Sequence, residues 1–217
     1  MIRFAIALMV GGALLTFFGY REFKLSSSAS TEAQSITSTE LFANGYGDNA
    51  HVNITDLYIL DSFAYEGPAD NPSKYDKVWI PAIAMDDPWV VELDELIAEA
   101  EERNPSNPDY SAAMNLAYPT EIKLVIYSKD LDGDSAVGSF IDGTSVKGMV
   151  INDIEDLSGD ELKNLQGAYP GLSPDNVLIL EHNRTPMGSG LTMLMLGGGI
   201  VLFLAGPGLF FLGARNG

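Results

Sequence analysis

The residues best suited to chemistry lie in the run Asp130-Leu131-Asp132-Gly133-Asp134-Ser135, with Asp142 downstream. Alternating carboxylates in a loop can converge on a hard cation, and Ca²⁺ takes about six to eight oxygen ligands. Asp130, Asp132 and Asp134 are therefore the candidate metal ligands, and Ca²⁺ is the candidate ion. The calcium helix-loop-helix pattern is not met. Counting from Asp130, Ser135 stands where that pattern needs glycine, and Ile141 where it needs glutamate. A solvated acidic turn between two strands uses the same residue types.

The tripeptide Gly133-Asp134-Ser135 also suggests a nucleophilic serine. Such a serine needs a base within hydrogen-bond reach, and the only histidines are His51 and His182. Neither is near Ser135 in sequence. The two histidines could share a metal only if their strands were neighbours, and surface or capping roles are the simpler expectation. The segment Leu41–His51 holds Asn44-Gly45 and Gly47-Asp48-Asn49, rich in backbone freedom. It has no G-K-[ST], no preceding strand and no base, so it reads as a turn rather than a phosphate loop. The chain has no cysteine, which excludes disulfides, thiol catalysis and thiolate-bound metals. Asn53-Ile54-Thr55 and Asn183-Arg184-Thr185 are glycosylation sequons, meaningful only in a secretory lumen. No catalytic residue is assigned.

The elements that position these residues read as one α+β domain over 41–183. Apolar and β-branched runs predict strands at His51–Leu60, Lys77–Met85, Glu121–Ser128, Val146–Asn152 and Asn176–Glu181. Four consecutive apolar residues, Val177 to Leu180, mark the last strand as buried on both faces. Asp87 before Pro88 signs a helix start, and Trp89, Leu93, Leu96 and Ala100 form its apolar stripe, ending near Arg103. Ser158 and Glu161 make a capping box for a helix over Gly159–Gln166. A third short helix is expected at Tyr110–Leu116. Strand, helix and strand from Val146 to Glu181 predict a C-terminal β-α-β unit in a mixed sheet. Residues 21–40, rich in Ser and Thr, read as a linker.

Two uncharged apolar spans bracket this domain, Phe4–Tyr20 and about Gly188–Leu212. Crossing a bilayer core of about 30 Å takes about 20 helical residues. The first span is slightly short, with Arg3 and Arg21 placed to snorkel. The second is long enough to tilt, or to kink at Pro207. No A-x-A site follows the first span, so it reads as an anchor rather than a cleaved signal. Both spans are taken as transmembrane helices. Small residues recur every seventh position: Ala5, Gly12 and Gly19 in one, and Thr192, Gly199, Gly206 and Gly213 in the other. That spacing keeps them on nearly one face, where helix backbones can approach. The two helices are expected to pack on each other, or each on a second copy of the chain.

Residues 25–183 hold 29 acids against seven bases, a balance of −22. Phosphate contact relies on Lys and Arg, so nucleic acid is not a partner. Positive groups near the span ends are evenly split, with Arg3, Arg215 and the α-amino group on one side and Arg21, Lys24 and Arg184 on the other. The first span resembles a signal anchor, which would export the domain. The expectation is a two-pass protein of the plasma (inner) membrane, with its acidic domain extracytoplasmic. Its function is read as non-enzymatic recruitment or assembly of other membrane or envelope proteins, self-association included, with the lipid bilayer as its medium. The alternative is a Ca²⁺-dependent sensor or membrane-bound enzyme using the Asp130–Asp134 loop.

Overall fold

The computed structural model of the chain describes residues 2–152, 154, 156–157 and 159–215, and the side-chain surroundings of those between 3 and 210. The chain divides into two compact units, Met1–Thr31 with Thr185–Gly217, and Glu32–Arg184.

The first unit is a pair of long helices, α1 (Ile2–Ser27) and α7 (Ser189–Arg215). Both are apolar around most of their circumference, and each, at about 1.5 Å per residue, is about 40 Å long. Both contain spans long and apolar enough to cross a membrane, Arg3–Ser27 and Ser189–Phe210. Small residues line their contact. A side-chain carbon added at Gly12 would strike the Phe203 amide nitrogen, and one at Gly19 would come within 2.8 Å of the Leu196 nitrogen. From the other helix, one at Gly199 would fall 2.9 Å from the Gly12 carbonyl, and one at Gly206 2.9 Å from the Ala5 carbonyl. Ala5 and Thr192 are fully buried. Thr16 donates to the Gly12 carbonyl at 2.8 Å, turning its hydroxyl back onto its own helix. Gly213 lies in α7, beyond the residues whose surroundings are described.

The second unit is built on a mixed sheet. In chain order its elements are β1 (Gln34–Thr37), α2 (Ser38–Asn44), β2 (His51–Thr55), β3 (Leu57–Ile59), β4 (Ala64–Glu66), β5 (Lys77–Ala84), α3 (Pro88–Arg103), α4 (Ser111–Met114), β6 (Leu124–Ser128), α5 (Asp134–Ile141), β7 (Val146–Val150), α6 (Gly159–Ala168) and β8 (Leu178–His182). Among the described residues the strands lie in the order β1-β2-β7-β8-β6-β5-β3, with β4 also on β5. Two pairs, β1–β2 and β6–β8, are parallel, and the rest are antiparallel. Every residue of β6 is buried, as is all of β5 after Lys77, so the middle of the sheet is covered on both faces.

The structure departs from the sequence reading in five places. Residues 21–40 are not a linker: α1 runs through to Ser27, and β1 and the start of α2 follow. Thr37 caps α2, accepting from the Glu40 amide at 3.2 Å while Glu40 accepts from the Thr37 amide at 3.3 Å, a full capping box. The strand expected over His51–Leu60 is broken at Asp56. Its φ of 57° is a left-handed turn that Asp tolerates better than bulkier residues. Residues 134–141 form α5 rather than an open turn. The segment Tyr110–Leu116 contracts to the single turn α4. Finally, β7 and β8 are adjacent but antiparallel, so the strand-helix-strand segment through α6 is not the parallel crossover of a β-α-β unit. The parallel partner of β8 is β6. The helix α6 is present, while Ser158 of its expected capping box lies outside the described residues.

Across one sheet face, charge and ring alternate. Glu66 and Lys77 pair at 2.6 Å, and Lys77 lies 5.8 Å from the Trp79 ring centre. Trp79 stacks on Tyr127 at 5.4 Å, and Lys129 lies 5.0 Å from Tyr127. Lys129 pairs with Glu181 at 3.0 Å, and Arg184 pairs with the other Glu181 oxygen. This row ties β4, β5, β6 and β8 across their strand direction.

Candidate functional site

The three candidate metal ligands are placed by the turn from β6 into α5. The end of β6 is held by Ser128, whose hydroxyl accepts from the Asp130 amide at 3.2 Å. Asp130 then accepts from the Asn183 side chain at 3.3 Å. Asp132 and Asp134 turn elsewhere, both onto Tyr75. Asp132 accepts from the Tyr75 amide at 3.2 Å, and Asp134 accepts from the Tyr75 hydroxyl. That hydrogen bond, with burial behind it, raises the Tyr75 phenol to about 12. Tyr75 is itself packed edge-on against Phe63 and tilted on Tyr65. Among the described residues no three His, Asp or Glu side chains are grouped to hold a metal ion.

The serine that meets a histidine is Ser128, not Ser135. Ser135 is exposed on α5, where its carbonyl accepts from Ser139. Ser128 and His182 end the parallel neighbours β6 and β8, and the Ser128 hydroxyl lies 3.2 Å from His182 Nδ1. Phe140 covers the imidazole edge-on at 4.9 Å. Burial pushes the His182 imidazole down, and Asp130 partly opposes it. Ser128 is fully buried and already accepts from the Asp130 amide, so a substrate has no approach to it. The arrangement locks two strand ends. His51, on β2, is buried opposite Met149 of β7, two strands from His182.

The groove of the second unit lies elsewhere, at the edge strand β3. It encloses about 480 Å³ between β3, the exposed flank of α3 and the segment around α4. Tyr58 rises from β3, Trp89 from the first turn of α3, and Tyr110 and Tyr118 from either side of α4. Leu93, Ile97, Leu116 and Met114 complete the apolar wall. Asp87 caps α3 by accepting from the Trp89 amide at 2.9 Å, which fixes where that ring leaves the backbone. The indole nitrogen donates to the Ala117 carbonyl at 2.6 Å, tying α3 to the α4 segment. Tyr58 packs edge-on against Trp89 at 5.7 Å, and Tyr118 against Tyr169 at 5.0 Å. Asp61 is the one charged residue in the lining, and it accepts from the Tyr118 hydroxyl at 3.1 Å. Burial, with Asp61 and Asp94 nearby, raises the Tyr58 phenol.

Sequence reasoning did not find this site. The sequence pattern puts Trp89 and Leu93 on one apolar stripe and Tyr58 in a continuous strand. The usable signal was the aromatic density of Tyr110 and Tyr118 within a Pro- and Asn-rich segment too short to bury them. Comparison of the chain with family models, with curated proteins and with solved structures gives no match.

Proposed function

We propose that the chain crosses a membrane twice, through α1 and α7, and presents its acidic unit as a non-catalytic module that recruits or assembles other membrane proteins. The observation that carries this is the chain order: a compact acidic unit is inserted between two apolar helices that pack on each other through small residues. The chemistry of the unit fits a binding role. Its groove is walled by aromatic and aliphatic side chains, with Asp61 as its only ionisable group besides the tyrosines. Its close Ser–His pair joins the buried Ser128 to a half-buried His182 packed on Phe140, and serves strand packing.

The preferred side for the acidic unit is extracytoplasmic, supported by the resemblance of the first span to a signal anchor. The small-residue seam supports pairing within one chain over pairing between copies, because its glycines are filled by the chain's own second helix.

Three measurements test the reading. Full-length protein should stay in the membrane pellet after carbonate extraction; recovery in the soluble fraction would overturn the two-pass architecture. Cross-linking in intact membranes, then purification in mild detergent, should recover the protein with other membrane proteins. A chain that emerges alone, together with turnover of any ester or phosphoester panel substrate, would overturn the recruitment role. Protease added to the outer face should degrade the acidic unit, and protection until detergent is added would reverse the orientation.

A further inference from the structure

The groove at β3 combines features that select one kind of ligand. Its walls are aromatic: Tyr58, Trp89, Tyr110 and Tyr118. Its charge is of one sign. Asp61 lies in the lining, Asp94 is close enough to act on Tyr58, and Glu101 accepts from the Tyr110 hydroxyl at 3.2 Å. No Lys or Arg lines it. Among the described residues neither Asp61 nor Asp94 is in an ion pair. Most bases of the unit are engaged elsewhere: Lys74, Lys77, Arg103, Lys123, Lys129, Lys163 and Arg184 each have a carboxylate partner within 4 Å, and Lys147 lies on β7, outside the groove lining. Of the bases closest in sequence to the groove, Arg103 is held by Glu99 at 3.9 Å and Lys123 by Glu121 at 3.6 Å.

Aromatic rings attract cations through the negative face of their π-systems, and a carboxylate beside the ring adds direct charge. Apolar neighbours such as Met114, which is 81% exposed, suit the methylene stems of Lys or Arg. The groove also follows an edge strand. The only sheet partner of β3 among the described residues is β5. A second hollow lined by Leu57, Met85 and Gly143 continues along the same strand, sharing Tyr58, Ile59 and Ile141 with the first. An extended peptide matches that elongated shape better than a compact ligand does.

We infer that the β3 groove binds an extended basic peptide segment of a partner protein, seating Arg or Lys side chains among Tyr58, Trp89 and Tyr118 against Asp61. This deepens the recruitment reading by naming what the acidic unit grips. The net charge of the unit draws a basic partner in from a distance, and the groove gives that attraction an address.

The test uses full-length protein in a neutral detergent and a fluorescein-labelled nona-arginine peptide as probe, with nona-glutamate as control. Binding is read by anisotropy and by the emission of Trp89, one of only two tryptophans, with the other, Trp79, buried in β5. Saturable binding of the basic peptide with a change in Trp89 emission is expected, and none with the acidic one. Asp61→Asn and Tyr110→Leu should each weaken it roughly three- to tenfold. Asp160→Asn on α6 removes the same charge far along the chain from the groove and should leave binding within about twofold at moderate salt.

Equal weakening by Asp61→Asn and Asp160→Asn, or binding without a Trp89 response, would mean that general acidity attracts the peptide, and would overturn the groove assignment. So would failure to bind at all. In either case, partners still cross-linked in intact membranes would leave the recruitment reading standing, so the two can fail separately. Tighter binding of tetramethylammonium than of the peptide would assign the groove to a small cation instead. Thermal melting of each variant confirms that it folds, and Tyr110→Leu, at a partly exposed position, covers the case in which Asp61→Asn does not.

Discussion

Tyr75 decides between two accounts of the acidic loop, and a double-mutant cycle can measure it. The hydroxyl of Tyr75 donates to Asp134, and its amide donates to Asp132 at 3.2 Å. Tyr75→Phe removes only the first of these. Hydrogen bonds to charged groups contribute about 1.5–3 kcal/mol when both partners are withdrawn from water. Here Tyr75 is 6% exposed, but Asp134 is exposed and regains water when its partner goes. The cost should therefore fall near 1 kcal/mol, a drop in melting temperature of about 2–4 °C for a unit of this size. Asp134→Ala should cost about the same, because it cuts the same bond. The double variant should cost little more than either single one, a coupling of about 1 kcal/mol.

The pH dependence has a defined sign. The phenol is raised from 10.0 to about 12 in the folded state, so the folded chain holds a proton that the unfolded chain loses. The stability difference between wild type and Tyr75→Phe should be constant below pH 10 and shrink as pH rises from 10 to 12. Thermal scans of the full-length protein in detergent, with ultraviolet titration of phenolate, give both readings. Strict additivity of the two substitutions would refute a direct Tyr75–Asp134 bond. A rise of several degrees in millimolar Ca²⁺, lost when Asp130, Asp132 and Asp134 are all changed to Asn, would show that the carboxylates gather on the ion instead. At a hundredfold excess over Kd such binding stabilises by about 2.7 kcal/mol.

Four further outcomes are expected. Gly148→Ala places a carbon against the Glu181 carbonyl of the neighbouring strand and should cost about 3 kcal/mol in urea unfolding. Gly167→Ala, with open space around it on α6, should be neutral or stabilising by up to about 1 kcal/mol. Gly12→Leu should force α1 off α7 and lower helical melting in detergent, whereas Gly11→Leu, one residue away with nothing within 4 Å, should not. His182 is held neutral by burial, so its folded pKa lies below its unfolded value of 6.5. The stability of wild type relative to His182→Asn should be greatest above pH 6.5 and fall as pH drops through the depressed folded value, checked by urea midpoints across that range.

The parts legible in the sequence were those with strong local causes. The apolar run Val177–Leu180 placed a strand in the middle of the sheet, because only a strand covered on both faces tolerates such a run. The pair Asp87-Pro88 marked the start of α3. The capping box Thr37–Glu40 stands in the sequence too, but inside a Ser- and Thr-rich stretch whose composition reads as a linker. The helix α5 left little trace: it is eight residues long, and Gly133 at its N-cap makes no side-chain hydrogen bond to the helix. Strand direction left none, since the burial pattern of β7 is the same whether it runs with β8 or against it. The groove was hidden for a related reason. Its rings come from β3, α3 and the α4 segment, and nothing in their spacing says that these meet.

The position of β8 has a consequence for how the chain is made. Without it, the strand order separates into β1-β2-β7 on one side and β6-β5-β3 on the other, with no pairing between them. The keystone is thus the last in chain order of the described strands, and α7 begins at Ser189, only a few residues after it ends at His182. Until β8 is made, the edges of β7 and β6 that it joins stay unpaired. Closure of the sheet and synthesis of the second apolar helix therefore follow each other closely along the chain. A stalled or truncated chain would present two unpaired sheet edges to its surroundings, the kind of surface that chaperones and proteases recognise.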